Sequence, residues 1–201
     1  MSFFRPISPL TARNPLFFRG RISIDHTKMK DRTRSVIAPI FSATVRTGSP
    51  TIAVSGANTR YRAWAFDAAS TEEILFEVIL PKDLVASLRN TVAITPAFWV
   101  TNLGAGTGGV VWQVTLKDYW GSGDLNATGG ETIISEAQGV PIQNEVSRRA
   151  FATDFNLTVS NGGTPPPYIR IGLARLGADG ADTLANDAGV VGFEFTYTAD
   201  M

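Results

Sequence analysis

Residues 60–120 decide the fold, because they hold four apolar runs bounded by turn-forming residues. The runs are RYRAWAFDA (60–68), EEILFEVILP (72–81), TPAFWVTNL (95–103) and GGVVWQVTLKDYW (108–120). Each is rich in Val, Ile, Phe or Trp, and Gly, Pro, Ser, Asn and Asp surround them, as expected for consecutive antiparallel strands. The stretch therefore predicts the core of a β-sandwich.

The chain on either side of this stretch extends the same pattern. Within residues 73–80, alternation directs Ile74, Phe76, Val78 and Leu80 inward and Glu73, Leu75, Glu77 and Ile79 outward. Residues 131–135, 151–159, 168–176 and 190–198 predict later strands. With 201 residues, 44% of them hydrophobic, the chain is long enough for one substantial core.

We therefore predict an all-β fold, a jelly-roll-like antiparallel β-sandwich of about eight strands with an extended N-terminal arm. The arm is assigned to residues 1–50 and the sandwich to residues 51–201. Residues 83–89 (DLVASLR) are interpreted as one or two helical turns that connect two strands.

The arm differs in charge from the body. The chain has no net charge, but residues 1–34 hold eight basic and two acidic side chains, a net of +6, so the remainder carries −6. Such asymmetry suggests docking on an acidic surface, and a solvated leader is the alternative.

Aromatic pairs between prolines mark the first part of the arm. Proline denies the backbone regular hydrogen bonding, whereas phenylalanine is costly to leave in water. An arm laid along a partner satisfies both facts, and so does an arm folded back onto its own sandwich. The residues predicted to contact a partner are Phe3, Phe4, Arg5, Arg13, Phe17, Phe18, Arg19 and Arg21.

Several kinds of chemistry lack the side chains they need. There is no cysteine, and His26 is the single histidine, so thiol redox chemistry, a His-based metal site and a Ser-His-Asp triad have almost nothing to be built from. Gly104, Gly106 and Gly109 form a GxGxxG pattern, but a strand rather than a helix is predicted after it. We interpret these glycines as a hairpin loop and expect no nucleotide there.

Carboxylates are the remaining candidates for catalysis, as in glycosidases. They are Glu72, Glu73, Glu77, Asp118, Asp124 and Asp154. Their spacing favours no pair, so we expect no enzyme and no cofactor. Asp179, Asp182 and Asp187 suggest calcium, but their spacing matches no EF-hand and a solvated loop is favoured.

The four tryptophans, Trp64, Trp99, Trp112 and Trp120, allow two interpretations. They could form a sugar-stacking platform, but large aromatic residues in strands more often belong to the core or to a subunit contact. Core or subunit contact is therefore favoured, and Trp120, at a strand end, is the one expected to be most exposed.

From residue 62 to residue 197 the chain resembles the small jelly-roll structural proteins of tailed-bacteriophage virions. The resemblance rests on the order and spacing of several segments. They are Arg62-Ala63-Trp64-Ala65-Phe66-Asp67, Glu73 to Pro81, Trp99 before a glycine loop, Val111-Trp112-Gln113-Val114, Ile169-Arg170-Ile171, Arg175-Leu176, Asp182, and Asp187 to Phe195. The chain differs from the shortest of these virion proteins in its long N-terminal arm.

The resemblance implies a structural virion protein, commonly a homotrimer, that binds the major capsid protein or belongs to the tail. The leading interpretation is a capsid decoration or cement protein that stabilises the shell. The alternative is a tail or fibre component that binds a host-surface glycan. Arg and Pro interrupt the N-terminal apolar residues, so we expect synthesis in the host cytoplasm without a signal peptide, and no membrane partner. The acidic body argues against dedicated nucleic-acid binding.

Overall fold

Two antiparallel sheets form the protein, which confirms the predicted jelly-roll β-sandwich. The structure is a computed structural model that describes residues 32–38, 40–55, 61–81, 91–119, 131–158 and 168–199. The strands are β1 (Arg32–Ala38), β2 (Thr44–Thr47), β3 (Thr51–Ser55), β4 (Tyr61–Phe66), β5 (Thr71–Ile79), β6 (Thr91–Asn102), β7 (Gly109–Tyr119), β8 (Thr132–Gly139), β9 (Val146–Ala150), β10 (Phe155–Thr158), β11 (Tyr168–Leu176) and β12 (Ala188–Ala199).

The connections between β4 and β7 place successive strands in different sheets. A seven-stranded sheet has the order β10-β6-β12-β4-β3, with β1 also on β12 and β9 also on β6, and a five-stranded sheet has the order β2-β5-β11-β7-β8. From β4 to β7 the chain therefore changes sheet at every connection, as in double-sheet jelly rolls. The predicted hairpin at Gly104, Gly106 and Gly109 is wrong, because β6 and β7 belong to different sheets. The glycines lie in a crossover, and a strand follows them, as predicted.

The core lies between the two sheets and follows the predicted alternation. Ile74, Phe76, Val78 and Leu80 are all buried, which confirms that this set of β5 points inward. On the opposing sheet, Phe98 and Phe193 fill the same core, and the rings of Phe76 and Phe193 meet edge to face at 4.9 Å. Edge-to-face aromatic pairs add to the hydrophobic stabilisation that burial provides.

The strands outnumber those predicted because short edge strands were missed. β1 and β2 lie within residues 1–50, assigned to the arm, yet β1 pairs with β12 and β2 pairs with β5. Residues 32–50 thus contribute to the sandwich. The strand predicted over residues 151–159 starts only at Phe155, because the Glu136 carboxylate accepts hydrogen bonds from the backbone N–H groups of Ala152 and Thr153. The helical turns predicted over residues 83–89 lie outside the described residues.

Arg175, at the end of β11, fixes the long connection to β12. Its Nε and Nη2 donate to the two carboxylate oxygens of Asp182 at 2.9 and 2.7 Å, and both side chains are fully buried. The remaining donors reach backbone carbonyl oxygens of Phe66, Leu184 and Asn186 at 2.6–3.1 Å. A buried guanidinium is tolerated only when paired and hydrogen-bonded, and here all of these contacts hold residues 182–186 against the sheet.

Candidate functional surfaces

Exposed apolar side chains concentrate in one segment of the described chain, residues 37–54, which includes the edge strands β2 and β3. β2 ends the five-stranded sheet, β3 ends the seven-stranded sheet, and the turn at residues 48–50 joins them. Of the nine large hydrophobic residues exposed in the described part of the chain, five lie within residues 37–54. They are Ile37, Phe41, Val45, Ile52 and Val54, from 46% to 73% exposed. We call these five side chains the apolar edge.

The predicted partner contacts of the arm lie outside the described residues. All eight of them, from Phe3 to Arg21, precede Arg32, where β1 begins. The structure therefore adds the apolar edge as a second candidate contact surface. Sequence analysis missed this edge because it assigned β1 and β2 to the arm.

Among the described side chains, Glu72, Glu73, Glu77 and Asp154 do not form a catalytic pair. Glu72 and Glu73 are neighbours on β5, so their side chains point to opposite sides of the strand. Glu72 accepts hydrogen bonds from the backbone of Ser49 and Asp67. Glu77 lies further along β5. Asp154 directly precedes β10 of the other sheet and accepts a hydrogen bond from Thr95.

Of the remaining two carboxylates, Asp118 lies on β7 of the five-stranded sheet, and Asp124 lies outside the described residues.

Glu73 belongs to a charged cluster on the outer face of the five-stranded sheet. Its Oε1 accepts hydrogen bonds from Arg46 and Thr115, both at 3.2 Å. Arg46 also contacts Glu131 at 3.1 Å. A Cβ at Gly172 would collide with Glu73 Oε1 and Thr115 Oγ1, so this glycine makes room for the cluster. Arg170 Nη2 lies 3.7 Å from Glu131 Oε1, so two guanidinium groups balance the two carboxylates, which favours a structural role over catalysis.

The three aspartates weighed for calcium make separate contacts. Asp182 is committed to Arg175, and Asp179 accepts a hydrogen bond from the backbone of Ala181 at 2.9 Å. Asp187 instead lines an open depression of about 460 Å³ together with Asp67 and Glu72. In the described part of the chain, no group of three or more acidic or histidine side chains is arranged to hold a metal ion.

Asp187 has a raised pKa. Partial burial is the largest cause, the carboxylates of Asp67 and Glu72 raise the pKa further, and Arg175 opposes them. An acid whose pKa is higher in the folded state favours its neutral form there, so its ionised form lowers stability at neutral pH.

Replacing Asp187 by asparagine is expected to raise the free energy of unfolding at pH 7, by less than about 1 kcal/mol because solvent screens this exposed group. The gain should vanish below the ordinary aspartate pKa of 3.8, where wild-type Asp187 is protonated in both states. Urea unfolding at pH 7 and pH 3 measures both values. Asp179→Asn, on the same loop, serves as the control and should show no gain, and a loss of stability in Asp187→Asn at pH 7 would contradict the assignment.

The tryptophans divide between the core and one outer face. Trp112 and Trp64 are buried, and Trp64 Nε1 donates to the Ile40 carbonyl at 2.9 Å. The predicted preference for the core is therefore confirmed for these two. Trp99 is half-buried on the outer face of the seven-stranded sheet, beside Gly192. Trp120 lies outside the described residues.

No helix among the described residues is long and apolar enough to cross a membrane.

No protein-family model matches the chain, and neither does any curated protein. Among solved structures, the chain is similar to CBM35 from Cellvibrio japonicus Abf62, with a TM-score of 0.43 and 10% identity over 83% of this chain and 98% of that one. It is similar to the CBM36-1 domain of a multidomain xylanase from the hindgut metagenome of Trinervitermes trinervoides, with a TM-score of 0.41 and 13% identity over 82% and 96% of the two chains.

A third similarity is to the structure of the infectious bursal disease virus Gx strain, with a TM-score of 0.41 and 10% identity over 85% of this chain and 32% of that one. At such identities and TM-scores, none of these similarities carries an inference about function. The jelly-roll fold implied by the sequence resemblance is confirmed, whereas membership among phage structural proteins stays a prediction.

Proposed function

We propose that this chain is a structural virion protein that decorates a phage capsid shell, binds the major capsid protein and stabilises the shell as a homotrimer. The phage assignment rests on the resemblance of residues 62–197 to virion jelly-roll proteins. The observation that carries the assembly role is the apolar edge, because a concentration of exposed apolar side chains on a folded domain suggests contact with another protein.

The apolar edge suits contact between chains for two reasons. Its five side chains come from consecutive elements, so the exposed apolar area is concentrated within residues 37–54. β2 and β3 are also the last strands of their sheets, and such edges need covering to avoid uncontrolled pairing. Burial of each Ile or Val in an interface contributes roughly 1.5–3 kcal/mol before the cost of association.

The arm supplies a second contact in this proposal. Its basic and aromatic residues suit an acidic shell surface, while the apolar edge suits a neighbouring copy of the sandwich. Several weak contacts in one trimer then add through avidity. The two contacts make separable predictions, since the arm would govern attachment and the edge would govern assembly.

Co-sedimentation with undecorated shells, assembled from the major capsid protein of the same virion, tests attachment, and native mass in solution tests assembly. Wild type is expected to sediment saturably as a trimer. Removing residues 1–31 is expected to abolish sedimentation and leave the sandwich folded, because β1 begins at Arg32. The double variant Ile52→Asp/Val54→Asp is expected to shift the native mass to the monomer, because it places two charges in the apolar edge.

Ile142→Asp is the matched control, since Ile142 is exposed by 62% and lies outside the apolar edge. It should keep both the native mass and the attachment of wild type. Wild type that is monomeric and fails to sediment while its β-type circular dichroism is intact would overturn the proposed function. An unchanged native mass in Ile52→Asp/Val54→Asp would show that the apolar edge does not mediate trimer assembly.

A further inference from the structure

Trp99 occupies a position on the molecule unlike that of the other described tryptophans. It lies on β6 between Phe98 and Val100, which are both fully buried in the core, so its own side chain projects from the outer face of the seven-stranded sheet. A Cβ at Gly192 on the neighbouring β12 would lie 3.0 Å from Cε3 of the indole. Glycine at position 192 thus leaves room for the ring above β12, and the rest of the ring remains available to solvent.

Paired charges border the ring on one side. Arg148 lies directly opposite Trp99 across the β6-β9 pair. Its Nε and Nη2 contact Glu194 Oε1 at 2.6 and 2.5 Å. The Glu194 side chain is only 10% exposed whereas that of Arg148 is 43% exposed, so a buried carboxylate holds an accessible guanidinium beside the indole. The pair has no net charge and offers hydrogen-bond donors at a fixed position.

Hydroxyl and amide groups border the ring on the other side. Thr101 lies on the same face of β6 as Trp99, roughly 7 Å along the strand. Its Oγ1 is 3.2 Å from the hydroxyl of Tyr61, which donates in turn to Asn144 Oδ1 at 3.4 Å. Ser55 donates to the same Oδ1 at 3.2 Å.

The backbone fixes the position of this amide group. Asn144 has a left-handed backbone, with φ of 64°, and its N–H donates to the Asn102 carbonyl at 3.2 Å. A non-glycine residue in this conformation indicates that surrounding contacts hold the loop in place. The Asn144 side chain is therefore oriented by the fold toward Tyr61.

We propose that Trp99, Arg148 and Tyr61 form a binding site for a neutral pyranose ring within a polysaccharide, with the buried Glu194 and Thr101 positioning Arg148 and Tyr61. A sugar ring presents an apolar C–H face, which stacks on an indole, and hydroxyl groups around its rim, which need donors and acceptors. The site supplies an aromatic surface between a charge-neutral ion pair and a hydroxyl cluster, within the span of one or two sugar rings. The absence of net charge in this set favours neutral over acidic sugars. This inference is independent of shell decoration and matches the glycan-binding class that the sequence left open.

Affinity electrophoresis of the purified full chain through gels containing a soluble glucan, mannan, galactan, xylan or polygalacturonate tests the site. Wild type is expected to be retarded by at least one neutral polysaccharide and not by polygalacturonate. Trp99→Ala should weaken the interaction at least about tenfold, as loss of a stacking surface implies. Arg148→Gln should weaken it less, because it removes the charge but keeps a hydrogen-bond donor.

Two further variants separate loss of binding from loss of fold. Trp99→Phe keeps an aromatic face and should retain part of the retardation. Phe41→Ala, at the remote apolar edge, should migrate as wild type. Absence of retardation in all five gels, or full retardation of Trp99→Ala, would overturn the saccharide site. Neither result bears on shell decoration, since co-sedimentation with shells measures that separately.

Discussion

Replacing Arg175 by methionine is expected to lower the free energy of unfolding by about 3–5 kcal/mol, or to prevent folding altogether. The change leaves the buried Asp182 carboxylate without its charged partner, with only the Val111 N–H still donating to it at 3.3 Å, and it removes the donors of three backbone carbonyl groups. An uncompensated buried charge is among the most destabilising changes that a fold can receive. Urea unfolding followed by circular dichroism measures the loss.

Two further variants test the expected loss of stability in Arg175→Met. Arg149→Met is the matched control, because Arg149 donates from Nε to one exposed carbonyl, that of Gly139, and its loss should cost well under 1 kcal/mol. Adding Asp182→Leu to Arg175→Met should recover part of the stability, since it removes the unpaired charge but not the unpaired carbonyl groups. If the free energy of unfolding of Arg175→Met alone lies within about 1 kcal/mol of wild type, the expectation is wrong and water replaces the guanidinium.

Trp112→Ala is expected to be comparably damaging, with a loss of about 3–5 kcal/mol from the cavity it creates. Trp112 is fully buried and meets the rings of Phe66 and Phe98 edge to face at 5.5 and 5.0 Å. Its Nε1 is buried and has no hydrogen-bond partner among the described residues. The indole therefore stabilises the core by packing, while its N–H contributes nothing favourable there.

Trp112→Phe separates the contribution of ring packing from the cost of the unpartnered N–H. It keeps an aromatic ring and removes the unpartnered N–H, so it should cost less than half of what Trp112→Ala costs. Trp99→Ala gives the comparison for a tryptophan outside the core and should cost no more than about 1 kcal/mol. Equal losses for Trp112→Phe and Trp112→Ala, measured by urea unfolding, would contradict this expectation, because Trp112→Phe leaves much the smaller cavity.

Alternation in single strands was enough to predict the core. The inward set of β5 is correct because one buried face imposes a period of two on the sequence. The same period continues along β11, where Ile169, Ile171, Leu173 and Arg175 all point inward. Because Arg175 continues this inward set, the sequence pattern already indicated that its side chain is buried. Its partner Asp182 lies in the following loop, where no local pattern identifies it.

The missed strands lacked such a signal. β2 is exposed along its whole length, and backbone pairing with β5 holds it in place rather than any apolar face. Glu73 was correctly directed outward, but its burial depends on Arg46 of that strand, 27 residues away. Assignment of β6 and β7 to different sheets is likewise set by long-range pairing. The outer face around Trp99 depends on four strands, so sequence analysis could weigh Trp99 as a sugar contact but could not find its neighbours.

The pairing of β12 has a consequence for synthesis of the protein. β12 joins β1, β4 and β6 in the seven-stranded sheet, and Arg32 at the start of β1 lies opposite Ala199 at the end of β12. Until residues 188–199 have left the ribosome, β1 has no strand to pair with and one face of the core has no cover. The seven-stranded sheet therefore cannot close until residues 188–199 are available to pair, and the apolar strands made earlier stay partly uncovered while those residues are being synthesised.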